Sequence, residues 1–234
     1  MMEIDNRKVS AEEVERLFRF TRQHFVEHYD LQAELADHLA NAIEERWQQQ
    51  PALSFEDALA AEFKKFGVFG FSDIVEKRQN ALTKKYYKLL WGYFKNFFRL
   101  PQVLGTLAAV VAVYLLLGLS AYIYSALLFI IMVFSVVRLF KIKKMYHKKT
   151  QSTGKRWLLE DIIFSCGGIG PMLYLPMQIN LHMEGYYLSE PIKWGLAVFI
   201  VVVVLLEYTA LYILPRNAAK HLTETYPEYR LLQL

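Results

Sequence analysis

Four long apolar stretches dominate the C-terminal part of this 234-residue chain, at roughly residues 103–119, 122–140, 158–179 and 194–214. A bilayer core needs about 20 apolar residues per helical span, and each stretch is close to that. The pattern predicts an integral membrane protein. From Pro101 to Phe140 nothing charged intervenes except Arg138, and as one helix this segment would reach roughly 60 Å, about twice the hydrocarbon thickness. It must fold back, and Gly118-Leu119-Ser120 is the turn that glycine and serine permit. A tight helical hairpin is the expected result; one span plus a re-entrant piece is the alternative.

Lys and Arg beside the spans set the orientation. Lys84, Lys85, Lys88, Lys95 and Arg99 precede the first span. Arg138, Lys141, Lys143, Lys144, Lys148, Lys149, Lys155 and Arg156 lie between the second and third, and Arg216 and Lys220 follow the fourth. The other two connections hold only Lys193. This predicts a multi-pass protein of the cell membrane with both termini and the 141–156 loop in the cytoplasm. Tyr86, Tyr87, Trp91, Tyr93, Trp157, Tyr186, Tyr187 and Trp194 fall near the expected interfaces, where amphipathic rings sit.

Charge divides the chain at the same place. Residues 1–82 hold sixteen acids and ten Lys or Arg, a formal −6; the remainder holds seven and seventeen, or +10. The net +4 therefore speaks for juxtamembrane cations facing anionic lipid headgroups, above all Lys141, Lys143, Lys144, Lys148 and Lys149. An acidic domain would be repelled by phosphates, so no nucleic acid is expected. The lone Cys166 permits no internal disulfide and reads as a small buried residue. No apolar signal region is present at the N-terminus, so insertion is expected to use the internal spans.

Residues 1–82 read as a helical bundle. Ser10-Ala11-Glu12-Glu13 is a capping box with Val9 and Val14 at the staple positions. Val14, Leu17, Phe18, Thr21, Phe25 and Val26 form an apolar stripe. A second helix starts near Tyr29-Asp30, with Asp30 as its cap, buries Leu31, Leu35, Leu39, Ile43 and Trp47, and ends before Pro51. A third opens at Ser54, buries Phe55, Leu59, Phe63 and Phe66, and stops at Gly67. Phe66-Gly67-Val68-Phe69-Gly70-Phe71 is expected to fold under the bundle as a plug. Ser72 or Asp73 caps a fourth helix that can run without proline to Arg99. The fold class is thus all-α: a small cytoplasmic helical bundle (1–82), a basic aromatic juxtamembrane helix (83–100) suited to the membrane surface, a four-helix transmembrane bundle (101–215) and a cytoplasmic tail (216–234).

The order Tyr29-Asp30-Leu31-Gln32-Ala33-Glu34-Leu35-Ala36-Asp37-His38-Leu39, then Leu53-Ser54-Phe55-Glu56-Asp57-Ala58-Leu59, then Phe66-Gly67 resembles the HAAS-type helical domain. The resemblance covers residues 10–82 and rests on pattern and helix order. Such domains typically precede transmembrane helices in bacterial inner-membrane proteins of regulatory character, so the resemblance implies a signalling or protein-docking module without catalysis. In place of the family's usual Leu-Gly-Asp/Asn-Pro ending this chain has Phe66-Gly67-Val68-Phe69.

Within the apolar stretches Glu160, Asp161 and Glu207 are out of place, since a carboxylate in hydrocarbon costs roughly 2.5–3.5 kcal/mol on insertion scales. They could form one polar site, with Arg138 or Lys155 as counter-charge, or Glu160 and Asp161 could cap a span while Glu207 is paired structurally. Gly167-Gly168-Ile169-Gly170-Pro171 predicts a helix break or a close-packing surface. His24, His28 and His38 are a weak metal candidate, without the His-Glu-x-x-His spacing. Nucleophile elbows, phosphate-binding loops and paired cysteines are absent, so neither an enzyme nor a cofactor is expected. The expectation is membrane-anchored regulation through a protein partner of the cytoplasmic domain, relayed along the fourth helix. The alternative is a small transporter, or a transporter subunit, with a polar site around Asp161 and Glu207. Homo-oligomerisation is left open.

Overall fold

The computed structural model describes residues 7–120, 122–165, 170–182 and 189–231. All regular structure among them is helical. The chain forms two compact units, one of Met1–Thr83 with Gly154–Leu158, the other of Lys84–Thr153 with Leu159–Leu234.

In the first unit, helix α1 (Ala11–Gln23) begins with the capping box the sequence predicts. Ser10 Oγ accepts the Glu13 amide, and the Ser10 amide donates to Glu13 Oε2 at 2.8 Å. The apolar stripe stops earlier than the spacing suggests. Phe25 lies beyond the helix at φ 64° and is 90 % exposed, while Val26 is buried. The Val26 amide returns to the Thr21 carbonyl, which tightens the helix end and throws Phe25 outward.

Helix α2 (Tyr29–Gln49) places Leu31, Leu35, Leu39, Ile43 and Trp47 on one inner face, all buried. Burial stabilises each by about 1.5–3 kcal/mol. Trp47 Nε1 donates to the Leu53 carbonyl at 3.0 Å, pinning the reversal at Pro51. Helix α3 (Phe55–Lys64) then starts at Ser54, whose hydroxyl accepts the Asp57 amide at 3.1 Å. Asp30 does not cap α2; His28 occupies that position without a side-chain cap bond. The expected plug is also absent: Val68 and Phe69 project outward at 99 % and 71 % exposed, and only Phe71 turns in. Gly67 at φ 73° and Gly70 at φ 54° make that reversal. A Cβ on Gly70 would also meet the Phe63 ring at 3.2 Å.

Helix α4 (Ser72–Phe94) continues through a 3-10 turn (Lys95–Phe98), and helix α5 (Gln102–Leu117) leaves it at 81°. The first apolar stretch is therefore not a straight continuation of α4. At 16 residues, α5 reaches only about 24 Å. The reversal falls at Gly118-Leu119, as predicted. Helix α6 (Ile123–Thr153) runs well past Phe140, so Lys141, Lys143, Lys144, Lys148 and Lys149 of the expected 141–156 loop ride on helix instead, while Lys155 and Arg156 lie beyond it. No Gly or Pro interrupts the chain there until Gly154, whose φ of 65° ends the helix.

Helix α7 (Leu158–Ser165), a 3-10 turn (Gly170–Leu173) and helix α8 (Tyr174–His182) follow. Cys166, Gly167 and Gly168 lie outside the described residues, as do Tyr186 and Tyr187. Helix α9 (Glu190–Tyr208) passes through a π-helical turn (Thr209–Ile213) into helix α10 (Leu214–Arg216), and helices α11 (Ala218–Thr225) and α12 (Pro227–Leu231) complete the chain. In the second unit Leu117, Tyr124, Leu128, Leu173, Ala197, Ile200 and Val203 form the packed centre.

Among the described residues, three helical segments are long and apolar enough to cross a membrane, 123–153, 158–178 and 190–216, or up to four if the bent α4–α5 pair counts as one. Much of the apolar surface of α5 and α6 is left uncovered by protein. Leu104, Leu107, Val111 and Leu115 follow one face of α5 at spacings of three and four, all exposed, and only 22 % of the apolar window of α6 is buried. Uncovered apolar surface on that scale is compatible with a membrane protein.

One buried ion group in the first unit carries a prediction. Glu62 is buried, accepts from Arg46 Nε at 2.7 Å and pairs with Lys65 Nζ at 2.7 Å. Burial pushes its carboxyl up, but the hydrogen bonds and charges of Lys65 and Arg46 outweigh that and hold it below the usual carboxylate range. A folded value below the unfolded one, about 4.3, stabilises the unit above that pH. The contribution disappears as pH falls through the lower folded value. Arg46→Ala should destabilise the unit by about 2 kcal/mol at neutral pH, and Glu62→Gln should flatten its acid limb. Denaturant midpoints read by Trp47 and Trp157 fluorescence, with Trp91 and Trp194 replaced by Phe, check both.

Candidate functional site

Of the three acidic residues singled out in the apolar stretches, Glu160 and Glu207 take different partners, Lys149 and Ser135. Glu160, at the start of α7, is buried and bonded to Lys149 of α6. Lys149 Nζ also donates to Tyr229 Oη of α12 at 2.8 Å. Lys149, expected among the lipid-headgroup cations, is thus engaged by a buried carboxylate, and the counter-charge of Glu160 is neither Arg138 nor Lys155. Asp161 accepts from Ser165 Oγ at 3.3 Å, within its own helix.

The tail takes part in this arrangement, which its mixed composition conceals. The Leu159 amide donates to Tyr226 Oη at 3.3 Å, Lys85 Nζ donates to Thr225 Oγ1 at 2.8 Å, and Tyr93 Oη bonds His221 Nε2 at 3.1 Å. Leu222, Tyr226 and Tyr229 are buried. Their three-and-four spacing was the available signal, hidden by the polar residues between them.

Glu207 is the exposed exception in chemistry though not in space. It is 6 % exposed, on α9. Ser135 Oγ of α6 donates to its Oε2 at 2.7 Å. Its Oε1 is buried and has no hydrogen-bond partner among the described residues. A cavity of about 220 Å³ opens beside it, walled by Ile130, Phe134, Val204, Tyr208, Leu211 and Tyr212, among others.

Local sequence explains the geometry. Pro215 has no amide to give the Leu211 carbonyl four residues before it. The chain widens into the π turn, with the Leu214 amide reaching the Thr209 carbonyl. Arg138 Nε donates to the Leu211 carbonyl at 3.4 Å, and its guanidinium lies over the Tyr212 ring at 4.2 Å. Single π turns of this kind occur frequently at functional sites.

Gly170 closes the other side. A Cβ there would stand 2.2 Å from Ser135 Oγ and 3.8 Å from Glu207 Oε1. The backbone therefore approaches Ser135 as only glycine can. Pro171 follows it in the 3-10 turn.

The histidines stand apart from this site. His24 packs against Phe20 and Phe63, with Nδ1 2.8 Å from the Phe20 carbonyl, and His38 meets the edge of Phe66. No group of three or more candidate metal ligands occurs among the described residues.

Gly170→Ala should destabilise the protein by about 1–3 kcal/mol through overpacking. The loss should shrink in a Ser135→Gly background, where the colliding atoms are gone. Thermal unfolding in detergent measures both, and equal losses in the two backgrounds would contradict the close approach.

Compared with known proteins, the chain matches no family model, no curated protein and no solved structure.

Proposed function

We propose that the chain is an integral membrane protein with both termini in the cytoplasm, and that its first unit regulates the membrane part through contacts with a protein partner. One observation carries the reading. The five residues Gly154–Leu158, which join α6 to α7, fold with the first unit, although the chain on either side of them belongs to the second.

The hold is specific. The Tyr29 amide donates to the Arg156 carbonyl at 2.7 Å, and the Leu158 amide donates to Asp30 Oδ1 at 3.0 Å. Asp30, expected to cap its own helix, thus takes the first amide of α7. Arg156 pairs with Glu27, the Trp157 ring meets Tyr29 edge-on at 5.3 Å, and Lys155 lies over the same Tyr29 ring at 4.0 Å. A partner that alters the Glu27–Asp30 corner would alter the entry to the third apolar stretch. The 81° turn after α4 makes this clamp, rather than the fourth helix, the route for the relay. The basic residues beside the apolar stretches support the orientation.

The reading makes three checks available. With Cys166 replaced by Ala, single cysteines at positions 8 and 152 should resist an impermeant maleimide applied to intact cells and react in inverted vesicles; labelling from outside sinks the topology. Asp30→Ala should speed exchange of the Leu158 amide about tenfold, since a bond to a charged group contributes about 1.5–3 kcal/mol. A photo-crosslinker at Phe69 of the full chain should capture one recurrent protein. The second reading, a transporter, is favoured by the unpartnered oxygen of Glu207 and the cavity beside it. Reconstituted solute flux lost in Glu207→Gln, without any crosslinked partner, would replace the first reading with the second.

A further inference from the structure

The apolar cleft between α6 and α9 ends beside a cation, and the two together describe a ligand. Ile130, Phe134, Val204, Tyr208, Leu211 and Tyr212 wall about 220 Å³ of space. Ile130, Phe134, Val204 and Tyr208 are exposed, so the cleft opens on the outer face of the unit. Its wall is almost wholly apolar, because the Glu207 carboxyl is turned to Ser135 with Oε1 buried. A water needs two to four polar partners, which such a wall does not offer. Hydrocarbon matches it.

Arg138 stands at one end of the cleft. It follows Phe134 by one helical turn, its guanidinium lies over the Tyr212 ring at 4.2 Å, and its Nε donates to the Leu211 carbonyl at 3.4 Å. Those contacts hold the cation in place and leave its charge unmet, since no carboxylate pairs with Arg138 among the described residues. Its two terminal nitrogens remain, and their fork suits the paired oxygens of an anion such as phosphate. Lys141, three residues on, is exposed and likewise has no carboxylate partner among the described residues. Ile130, Phe134, Arg138 and Lys141 follow one another at spacings of four, four and three. One stripe of α6 thus passes from hydrocarbon to cations.

We infer that the cleft and its two cations form a site for one anionic phospholipid of the cytoplasmic leaflet, with part of one acyl chain in the cleft and the phosphate on Arg138. The site presupposes the proposed topology, in which the Lys141 end of α6 is cytoplasmic. A lipid of that leaflet points its headgroup to the interface and its chains to the midplane, the same order as the stripe. Lys141 selects the headgroup. A zwitterionic lipid would bring its ammonium toward a like charge, whereas each Lys or Arg near the surface favours a net-anionic lipid. A free fatty acid would engage Arg138 and leave Lys141 unmatched. A second copy of the chain docking in parallel would set these cations against their own kind. The volume is below the roughly 300–1,000 Å³ of clefts that enclose whole drug-sized ligands, which suits a length of one chain.

The test is native mass spectrometry of the full-length protein in detergent, titrated with dioleoylphosphatidylglycerol, dioleoylphosphatidylcholine or sodium oleate. One saturable phosphatidylglycerol site is expected, at least about tenfold tighter than phosphatidylcholine. Arg138→Gln should abolish that preference. Val204→Trp, which fills the cleft and keeps every cation, should weaken phosphatidylglycerol binding by at least about tenfold, and it decides the matter if Arg138→Gln fails to fold. Equal binding of the two phospholipids, native affinity in Val204→Trp, or oleate binding as tightly as phosphatidylglycerol would each overturn the inference. A wrong topology shows separately, as labelling of the cysteines at positions 8 and 152 from outside; absent lipid preference without such labelling strikes the lipid site alone.

Discussion

Apolar side chains left largely exposed on two long helices set the terms for this structure. Leu104, Leu107, Val111 and Leu115 on α5, and Phe129, Val133, Phe134, Val137 and Phe140 on α6, are all exposed. In water such faces would drive association at about 25 cal/mol per Å². In hydrocarbon they cost nothing, and helices are then favoured because each satisfies its own backbone. Every other feature of the second unit follows from that condition. Polar groups there must find partners within the protein, and most do: Thr209 Oγ1 donates to the Leu205 carbonyl at 2.7 Å, and Arg138 takes the carbonyl that Pro215 leaves unused. The position of each polar group thus reports a local defect in the helix or a contact between helices.

The first unit obeys the opposite rule. Its stability comes from a water-excluding face on α2 and from helix ends fixed by Ser10 and Ser54. Its polar groups are mostly solvated. Asp30 is different. It is buried, one oxygen holds the Leu158 amide, and Oδ2 is unpartnered among the described residues. A carboxylate at a helix N-terminus interacts favourably with the local dipole, and here it belongs to a different segment from the helix it caps.

Much of the architecture was legible because periodicity and caps are local. The capping box, the α2 face, the Ser54 start and the Gly118 reversal can each be read from a window of a few residues. The misreadings have two causes, a competing partner from a distant segment and local backbone turns that override side-chain spacing. Asp30 looks like the cap of its own helix until the Leu158 amide is seen beside it. Phe25 fits an apolar stripe by spacing and Phe69 the expected plug, yet backbone turns at Phe25, Gly67 and Gly70 put both outside. The fourth helix looks continuous because the 81° bend lies at Leu100-Pro101, after the last residue that periodicity can follow. At the candidate site, Glu207 was visible as a misplaced charge. Ser135 was not, since a serine in an apolar helix is unremarkable in sequence, and the approach of Gly170 to it joins residues 35 positions apart.

The Glu207 region is built against stability, which constrains what it can be. A leucine at 207 would suit the apolar wall and free Ser135 to bond back to its own helix. Instead the chain keeps a carboxyl with one satisfied oxygen, a π turn that loosens the helix beside it, and a glycine whose only evident role is to let backbone pass Ser135. Each departs from the locally preferred choice, and natural sequences concentrate such departures at functional sites. Around Glu62, by contrast, Arg46 and Lys65 engage both carboxyl oxygens. Glu62 uses one oxygen for each cation; Glu207 leaves Oε1 buried without a hydrogen-bond partner among the described residues.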